Sequence, residues 1–225
     1  KWLSNGEESE VFSFLLEEDA VVLEIPSAVD WLRAFSGGHP RIYTKPDAVV
    51  EWRDAVRSTA PEAVEDVLAA ARDALPGPHT IDEPPYLPDR RLDYQAFYRV
   101  WSPIMWESRA FVKDAKLLGL AYLLTGDRRF SRAACLRMAS ISRWDPTGSS
   151  HLSHNDEAHM SVIWDGSIAC DWVWDEFTDD ERAVVIEQFR QRGQITYEHM
   201  HGRGCYGVTR FDSHAGREIV FLALI

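Results

Sequence analysis

The fold is decided by the stretch Trp106-Glu-Ser-Arg-Ala-Phe-Val-Lys-Asp-Ala-Lys-Leu-Leu-Gly-Leu-Ala-Tyr-Leu-Leu-Thr-Gly-Asp127. Its apolar residues recur every three or four positions, which predicts an amphipathic helix over residues 106–125. Gly126-Asp127 ends this helix and starts the next, in which Ala134, Met138 and Ile141 share one face. Two amphipathic helices joined by so short a connection predict an antiparallel helical hairpin.

Helical patterns continue on both sides of this hairpin. Before the hairpin, the sequence predicts a cap at Thr44 for a helix to about Ser58, and a capping box at Thr59-Ala-Pro-Glu62 before a helix over 63–75. After it, the sequence predicts a helix over 157–177 and a second capping box at Thr178-Asp-Asp-Glu181 before a helix to about Gly193. A last helix is predicted to begin at Asp212 or Ser213. Because no strands intervene, the chain is expected to be mainly α, an array of antiparallel hairpins. Periodicity alone does not show whether the array closes into a toroid.

The first residues have a different pattern. Val11-Phe-Ser-Phe-Leu and Ala20-Val-Val-Leu-Glu-Ile are predicted strands separated by an acidic turn. Two strands bury too little apolar surface to be stable alone, so they are expected to be the edge of a larger β module. We therefore assign residues 1–36 to the end of an N-terminal β module with a linker, and residues 37–225 to a helical domain that is expected to be truncated.

Composition limits the kinds of molecule that the protein is expected to bind. The chain of 225 residues has a formal net charge of −12 and no lysine-rich stripe, which argues against nucleic-acid binding. No run of about 18 apolar residues occurs, so no membrane partner is predicted. Three widely spaced cysteines form no disulfide or metal pattern, and neither a cofactor nor a metal is predicted. A removed signal peptide would leave no trace, so periplasmic, secreted and cytoplasmic locations all stay open, the first two being favoured.

One region departs from the acidic background. Residues 190–217 contain five arginines but only one glutamate and one aspartate, which indicates a site for an anionic ligand. His214 and Arg217 are three residues apart at the predicted start of the last helix, so their side chains share one face. A guanidinium can bind a carboxylate through two hydrogen bonds, and a nearby imidazole can exchange a proton. Alternatively, both side chains only satisfy neighbouring groups.

A second cluster of polar residues is His151-Leu-Ser-His-Asn-Asp-Glu-Ala-His159. It invites a metal interpretation, but no recognised metal-binding spacing is present, and helix capping or the lining of a polar cleft fits equally. Carboxylates in this part of the chain could serve an inverting glycosidase, and they are Asp156, Glu157, Asp165 and Asp171. Six of the nine tryptophans lie in the helical region, where they are core residues or platforms for sugar rings.

Several segments together resemble the heparinase II/III-like polysaccharide lyases. They are His39-Pro-Arg-Ile-Tyr, Leu120-Ala-Tyr-Leu-Leu-Thr-Gly-Asp, Trp144-Asp-Pro, Asp171-Trp-Val-Trp-Asp and Ser213-His-Ala-Gly-Arg-Glu. The similarity runs from Gly38 to the end and is closest to the branch of oligoalginate lyases and heparin-degrading enzymes. The resemblance implies an incomplete (α/α) toroid behind an N-terminal β module. It also implies β-elimination of glycans that contain uronic acid, either alginate oligosaccharides or heparin-like chains.

The resemblance also implies roles for particular residues. His214 matches the catalytic histidine of the family, and Arg217 matches an arginine found three residues later in the alginate-type branch. We expect Arg217 to orient the substrate carboxylate. Ser213 stands where many relatives have asparagine, which leaves the group that neutralises the substrate carboxylate open. The family's catalytic tyrosine falls beyond Ile225, so residues 1–225 alone are expected to be inactive.

Further residues are predicted to bind the acidic oligo- or polysaccharide substrate. They are Asn155, His159, Arg109 and Tyr206. Two alternatives to a lyase stay open at this stage. One is an inverting glycoside hydrolase, and the other is a glycan-binding toroid without catalytic activity.

Overall fold

The computed structural model describes residues 3–4, 7–8, 27–33, 37–84, 87–202 and 213–223. The chain divides into two compact units, Lys1–Phe35 and Ser36–Ile225. In the first unit, strands β1 (Leu3–Ser4) and β2 (Glu7–Glu8) pair antiparallel, and helix α1 spans Ala28–Arg33. The strands predicted over 11–15 and 20–25 lie outside the described residues.

The second unit is helical throughout its described elements. Its helices are α2 (Val49–Thr59), α3 (Pro61–Ala74), α4 (Tyr94–Thr125), α5 (Arg128–Ile141), α6 (Asp156–Ile163), α7 (Asp165–Trp172), α8 (Asp179–Gly202) and α9 (Ser213–Leu222). Helix α4 packs against α3, α5, α6 and α7, so it forms the centre of the unit. The expectation of a mainly α chain is confirmed. None of the helices in the described ranges is both long and apolar enough to span a bilayer.

The predicted hairpin of α4 and α5 is confirmed. Ala115 and Leu118 are fully buried on the inner stripe of α4. Gly126 closes α4 with a φ of 74°, a left-handed conformation that glycine adopts without strain. The Asp127 carboxylate then accepts a hydrogen bond from the backbone N–H of Arg129 at 2.9 Å, which caps α5.

Helix α4 begins earlier than the sequence predicts, at Tyr94 rather than Trp106. The Asp93 carboxylate caps it by accepting from the backbone N–H of Ala96 at 2.9 Å. Pro103 lies inside the helix and is exposed, so the carbonyl that loses its partner there belongs to the exposed Arg99 and can be hydrated. The helix therefore tolerates a proline that normally predicts a break.

The first predicted capping box is wrong and the second is confirmed. The Thr59 hydroxyl donates to the Ala55 carbonyl at 2.8 Å as the last residue of α2, and α3 begins at Pro61. At the start of α8, by contrast, the Glu181 carboxylate accepts from the Thr178 backbone N–H at 3.0 Å, and the Thr178 hydroxyl oxygen accepts from the Glu181 N–H at 3.3 Å. The cap predicted at Thr44 is also wrong, because a 3-10 turn, Pro46–Ala48, precedes α2.

The single helix predicted over 157–177 is two helices. The chain bends at Trp164, whose φ of −89° and ψ of −81° interrupt the helical path between α6 and α7. Buried Asp165 pairs with Lys116 on α4 immediately after the bend. A Cβ at Gly166 would lie 2.8 Å from the Met138 Cε, so a larger residue there would require the Met138 side chain to shift. Local packing therefore overrides the continuous helical pattern.

Asp171 fastens the start of the helical unit to α7. Its carboxylate accepts hydrogen bonds from His39 Nδ1 at 2.7 Å and from the backbone N–H groups of Arg41 and Ile42, both at 2.8 Å. The Trp172 indole donates to the Ile42 carbonyl at 3.1 Å. Two of the segments that carry the family resemblance thus meet in the fold, where they have a structural role.

Candidate functional site

A cavity of about 340 Å³ lies where the start of α4, the end of α8 and helix α9 come together. The turn that precedes α6 completes its lining with Leu152, Ser153 and His154, together with Asp156 at the start of α6. Its volume is within the range of small-molecule sites, which combine apolar walls with a few polar groups. This cavity is the candidate site.

One wall of the cavity is aromatic. Tyr94, Phe97, Tyr98 and Trp101 lie at positions i, i+3, i+4 and i+7 of α4, so they share one face of the helix. The Tyr94 and Tyr98 rings stack with centroids 6.1 Å apart, as do the Phe97 and Trp101 rings. About half of each tyrosine is exposed. Such a wall offers flat apolar faces together with phenol hydroxyls, a combination that suits a polar ring-shaped ligand.

Asn155 holds this wall in place. Its side-chain amide donates to the Trp101 carbonyl at 3.2 Å, and its oxygen accepts from the Ala158 backbone N–H, which caps α6. The Trp101 indole donates in turn to the His154 carbonyl at 3.0 Å. Asn155 is fully buried and ties α6 to α4, so the structure places this predicted substrate residue behind the aromatic wall.

A histidine and a glutamate pair on the side of the cavity formed by α8 and α9. His199 Nδ1 lies 2.8 Å from Glu218 Oε2, so the imidazole N–H donates to the carboxylate. The Glu218 side chain is 5% exposed and that of His199 is 18% exposed. A nearly buried carboxylate thus fixes the orientation of an imidazole that lines the cavity.

Two of the predicted substrate arginines meet at one glutamate. Arg109 Nη1 lies 3.2 Å from Glu157 Oε2, and Arg217 Nη1 lies 2.8 Å from Glu157 Oε1. We call these three residues the arginine–glutamate cluster. It adjoins the cavity along the chain, since Glu157 follows the lining residue Asp156 and Arg217 precedes the lining residue Glu218.

His159 is a core residue rather than a lining residue of the cavity. Arg192 Nη1 donates to His159 Nδ1 at 3.1 Å, so the imidazole proton lies on Nε2 and is donated to the Thr196 hydroxyl at 3.0 Å. That hydroxyl donates to the Arg192 carbonyl at 2.8 Å, which closes the circuit. Burial, with a smaller contribution from Arg192, holds the pKa of His159 well below its ordinary value. The imidazole is therefore neutral and links α6 to α8.

Arg192 is the charged centre of that network. Its guanidinium also donates to the Ser150 carbonyl at 3.1 Å and to the Ser150 hydroxyl at 2.8 Å. Burial lowers its pKa to about 10, which still leaves it charged near neutral pH. The charge therefore contributes to fixing the turn before α6, which carries three residues of the cavity lining.

The structure does not describe the side chains of two predicted site residues. Tyr206 lies outside the described residues. His214 lies in the first turn of α9, but its side chain lies outside what the structure describes. Among the described residues, no group of three or more His, Cys, Asp or Glu side chains is arranged to hold a metal ion.

Three of the four carboxylates considered for a glycosidase, Asp165, Asp171 and Glu157, pair with described side chains. Asp165 pairs with Lys116 and Asp171 accepts from His39, and both carboxylates are buried. Only Asp156 of the four lines the cavity, and Glu157 belongs to the arginine–glutamate cluster. The sequence interpretation missed Glu218, whose pairing with His199 depends on how α8 packs against α9.

No protein-family model matches the chain, and no curated protein matches it. The resemblance to heparinase II/III-like lyases therefore remains an expectation that the quoted segments carry. The geometry of the cavity supplies the remaining argument about function.

Proposed function

We propose that the protein is a polysaccharide lyase that cleaves glycans containing uronic acid by β-elimination. In this proposal the helices of the second unit are part of an incomplete (α/α) toroid, and the cavity is the substrate site. The observation that carries the proposal is the composition of the cavity, which combines an aromatic wall with a carboxylate-bound imidazole. The arginine–glutamate cluster beside it supplies positive charge for an acidic sugar.

The chemistry of a uronate demands these groups. Proton loss from C5 places negative charge next to a carboxylate, so that carboxylate must be neutralised in the transition state. A base then takes the C5 proton while the bond between C4 and O4 breaks. The electron pair of the C5–H bond becomes the double bond between C4 and C5, and the departing O4 is protonated.

The described residues divide these tasks. Arg109 and Arg217 are suited to bind the substrate carboxylate, because a guanidinium fork matches carboxylate geometry. Glu157 holds both guanidinium groups in one place. His214 contributes to proton transfer or to neutralisation, as the family resemblance implies. Asn155 and His159 support the surrounding framework.

An inverting glycoside hydrolase is the second candidate. Asp156 and Glu218 both line the cavity, and such an enzyme needs one carboxylic acid and one carboxylate across the scissile bond. Glu218 is nevertheless engaged by His199. This engagement favours the lyase, in which an imidazole rather than a free carboxylate handles the proton.

Ultraviolet absorbance of the unsaturated product tests the proposal. The full-length protein is incubated with alginate, heparin-type chains and other uronans, and absorbance is expected to grow on at least one of them. Arg217→Ala is expected to lower kcat/KM by about 10²–10³-fold, since it removes a charged donor to the substrate carboxylate. Arg190→Ala is the control, because Arg190 is exposed and pairs with Glu187 on α8.

Three outcomes would contradict the proposal. Hydrolysis of a neutral glycan without absorbance on any uronan would favour the glycosidase. Saturable binding without any product would favour a binding module. Unchanged turnover in His214→Ala would remove the family histidine from the mechanism, since a catalytic histidine should lower turnover while leaving binding largely intact.

A further inference from the structure

We propose that His199 is the base that takes the C5 proton of the substrate, and that Glu218 is the residue that positions it. This inference rests on the proposed lyase function and assigns a step within it. It leaves His214 to the neutralisation of the substrate carboxylate.

The first argument is placement. His199 lines the cavity from the end of α8, opposite an aromatic wall that offers ring faces to a sugar. Its side chain is 18% exposed, which admits contact with a ligand while excluding most water. A base in such a position can reach a ring proton of a bound substrate without competition from bulk solvent.

The second argument is the tautomer. The Glu218 carboxylate accepts the proton of Nδ1 at 2.8 Å, so the neutral imidazole has its lone pair on Nε2. Once Nε2 takes a proton, the negative charge of Glu218 stabilises the imidazolium that forms. Glu218 is 5% exposed, so water screens this attraction little. Orientation and charge therefore both favour proton uptake at Nε2.

The step balances with one water molecule. Nε2 of His199 takes the C5 proton, and the electron pair of that C–H bond forms the double bond between C4 and C5. The bond between C4 and O4 breaks with its electron pair on O4, which takes a proton from water. The imidazolium then returns its proton to the hydroxide that remains, and the neutral imidazole is restored.

Several ionisable groups lie around His199. Those that line the cavity are Glu218 on α9, His154 before α6, Asp156 at the start of α6, Arg90 before α4, and Tyr94 and Tyr98 on α4. His151 and His159 also lie close enough to repel a charged His199. Only Glu218 contacts the imidazole through a hydrogen bond that the structure describes. Substitution of Glu218 should therefore change the orientation and tautomer of the His199 ring directly.

Two variants and one control test the inference in the full-length protein. His199→Gln is expected to lower kcat by about 10²–10⁴-fold with little change in KM, which is the usual contribution of a general base. Glu218→Gln keeps the shape but loses the charge, so kcat falls by less at an unchanged KM, and the tautomer of His199 is no longer fixed at Nδ1–H. His201→Gln should match the unmodified protein, since His201 is exposed and stacks on Tyr197 rather than lining the cavity.

A spectroscopic measurement on the unmodified protein tests the inference even if a variant fails to fold. Nitrogen NMR of the histidine-labelled protein should show neutral His199 protonated at Nδ1. Neutral His199 protonated at Nε2 would overturn the inference. Undiminished kcat in His199→Gln, with product still formed, would overturn it while leaving the lyase function intact. No product from the unmodified protein on any uronan would overturn both.

Discussion

His159 shows how a single residue can be misassigned by its neighbours in the sequence. It lies in a histidine-rich segment beside Asn155, which suggests a cleft, yet its two ring nitrogens are both used within the core. Arg192 and Thr196 come from one turn of α8, and they close the hydrogen-bond circuit around the imidazole. The partners of His159 are more than 30 positions away, so no local pattern could reveal them.

The neutral state of His159 predicts a pH-dependent stability. The unfolded chain binds a proton at this histidine as the pH falls through about 6.5. The folded protein does not, because burial keeps the pKa well below that value. The unfolded state therefore binds more protons, and the free energy of unfolding falls as the pH falls below about 6.5, by about 1.4 kcal/mol per pH unit for one fully shifted histidine.

Urea denaturation between pH 7.5 and pH 5 measures this slope. The pKa values of His151 and His79 are also lowered, chiefly by burial, so they add slope in the same direction. His159→Gln should remove part of the slope, whereas His201→Gln should keep all of it because His201 is exposed. Equal slopes in the His159 variant and the unmodified protein would show that His159 can titrate freely in the folded state.

At the scale of elements, the start of α8 depends on Glu181. This carboxylate completes the capping box with Thr178 and also accepts from Arg132 of α5, with Nη1 2.8 Å from Oε2. The Arg132 hydrogen bond, which outweighs the effect of burial, lowers the pKa of Glu181 to about 2. One side chain therefore caps a helix and joins it to its neighbour.

Glu181→Ala is expected to lower the free energy of unfolding by about 2 kcal/mol, the sum of a lost cap and a lost charge-assisted hydrogen bond. The unmodified protein should lose this contribution as the pH falls from about 4.5 towards 2, because the carboxylate is then protonated in both states. Glu187→Ala is the control in the same helix. Its pKa is also lowered to about 2, by Arg190, but the pair is exposed and should contribute no measurable stability.

The sequence predicted elements wherever the local pattern agreed with the packing. The hairpin at Gly126-Asp127 and the cap at Thr178 follow from residues within four positions of each other. The break at Trp164 does not, since the residue that follows it, Asp165, pairs with Lys116, which is 49 positions away on α4. A single sequence therefore predicts features that depend on neighbouring residues, but not features that depend on contacts between distant parts of the chain.

The same contrast applies to the site. The spacing of Tyr94, Phe97, Tyr98 and Trp101 is a helical stripe that the sequence carries, and it was missed because the predicted helix began only at Trp106. The pairing of Arg109 with Arg217 through Glu157 joins residues from three helices, and only the fold reveals it. The excess of arginines over residues 190–217 was visible in the sequence, whereas the pairing of Arg217 with Glu157 was not.

At the scale of the whole molecule, the division into two units predicts that Ser36–Ile225 folds without the first unit. The described buried core of Ser36–Ile225 lies within that unit, centred on α4. Residues 39–42 belong to the same unit and satisfy the buried carboxylate of Asp171. Removal of residues 1–35 should therefore leave the unit folded, with its free energy of unfolding changed by no more than about 1 kcal/mol.

Removal of residues 1–44 should behave differently. It strips Asp171 of the His39 imidazole and of two backbone donors, and it also takes the carbonyl that accepts from Trp172. A buried carboxylate that loses its partners costs about 3–5 kcal/mol, so the shorter protein should unfold at a markedly lower urea concentration by far-ultraviolet circular dichroism. If the two truncated proteins were equally stable, Asp171 would be hydrated or protonated at little cost, and α7 would not depend on the segment that precedes α2.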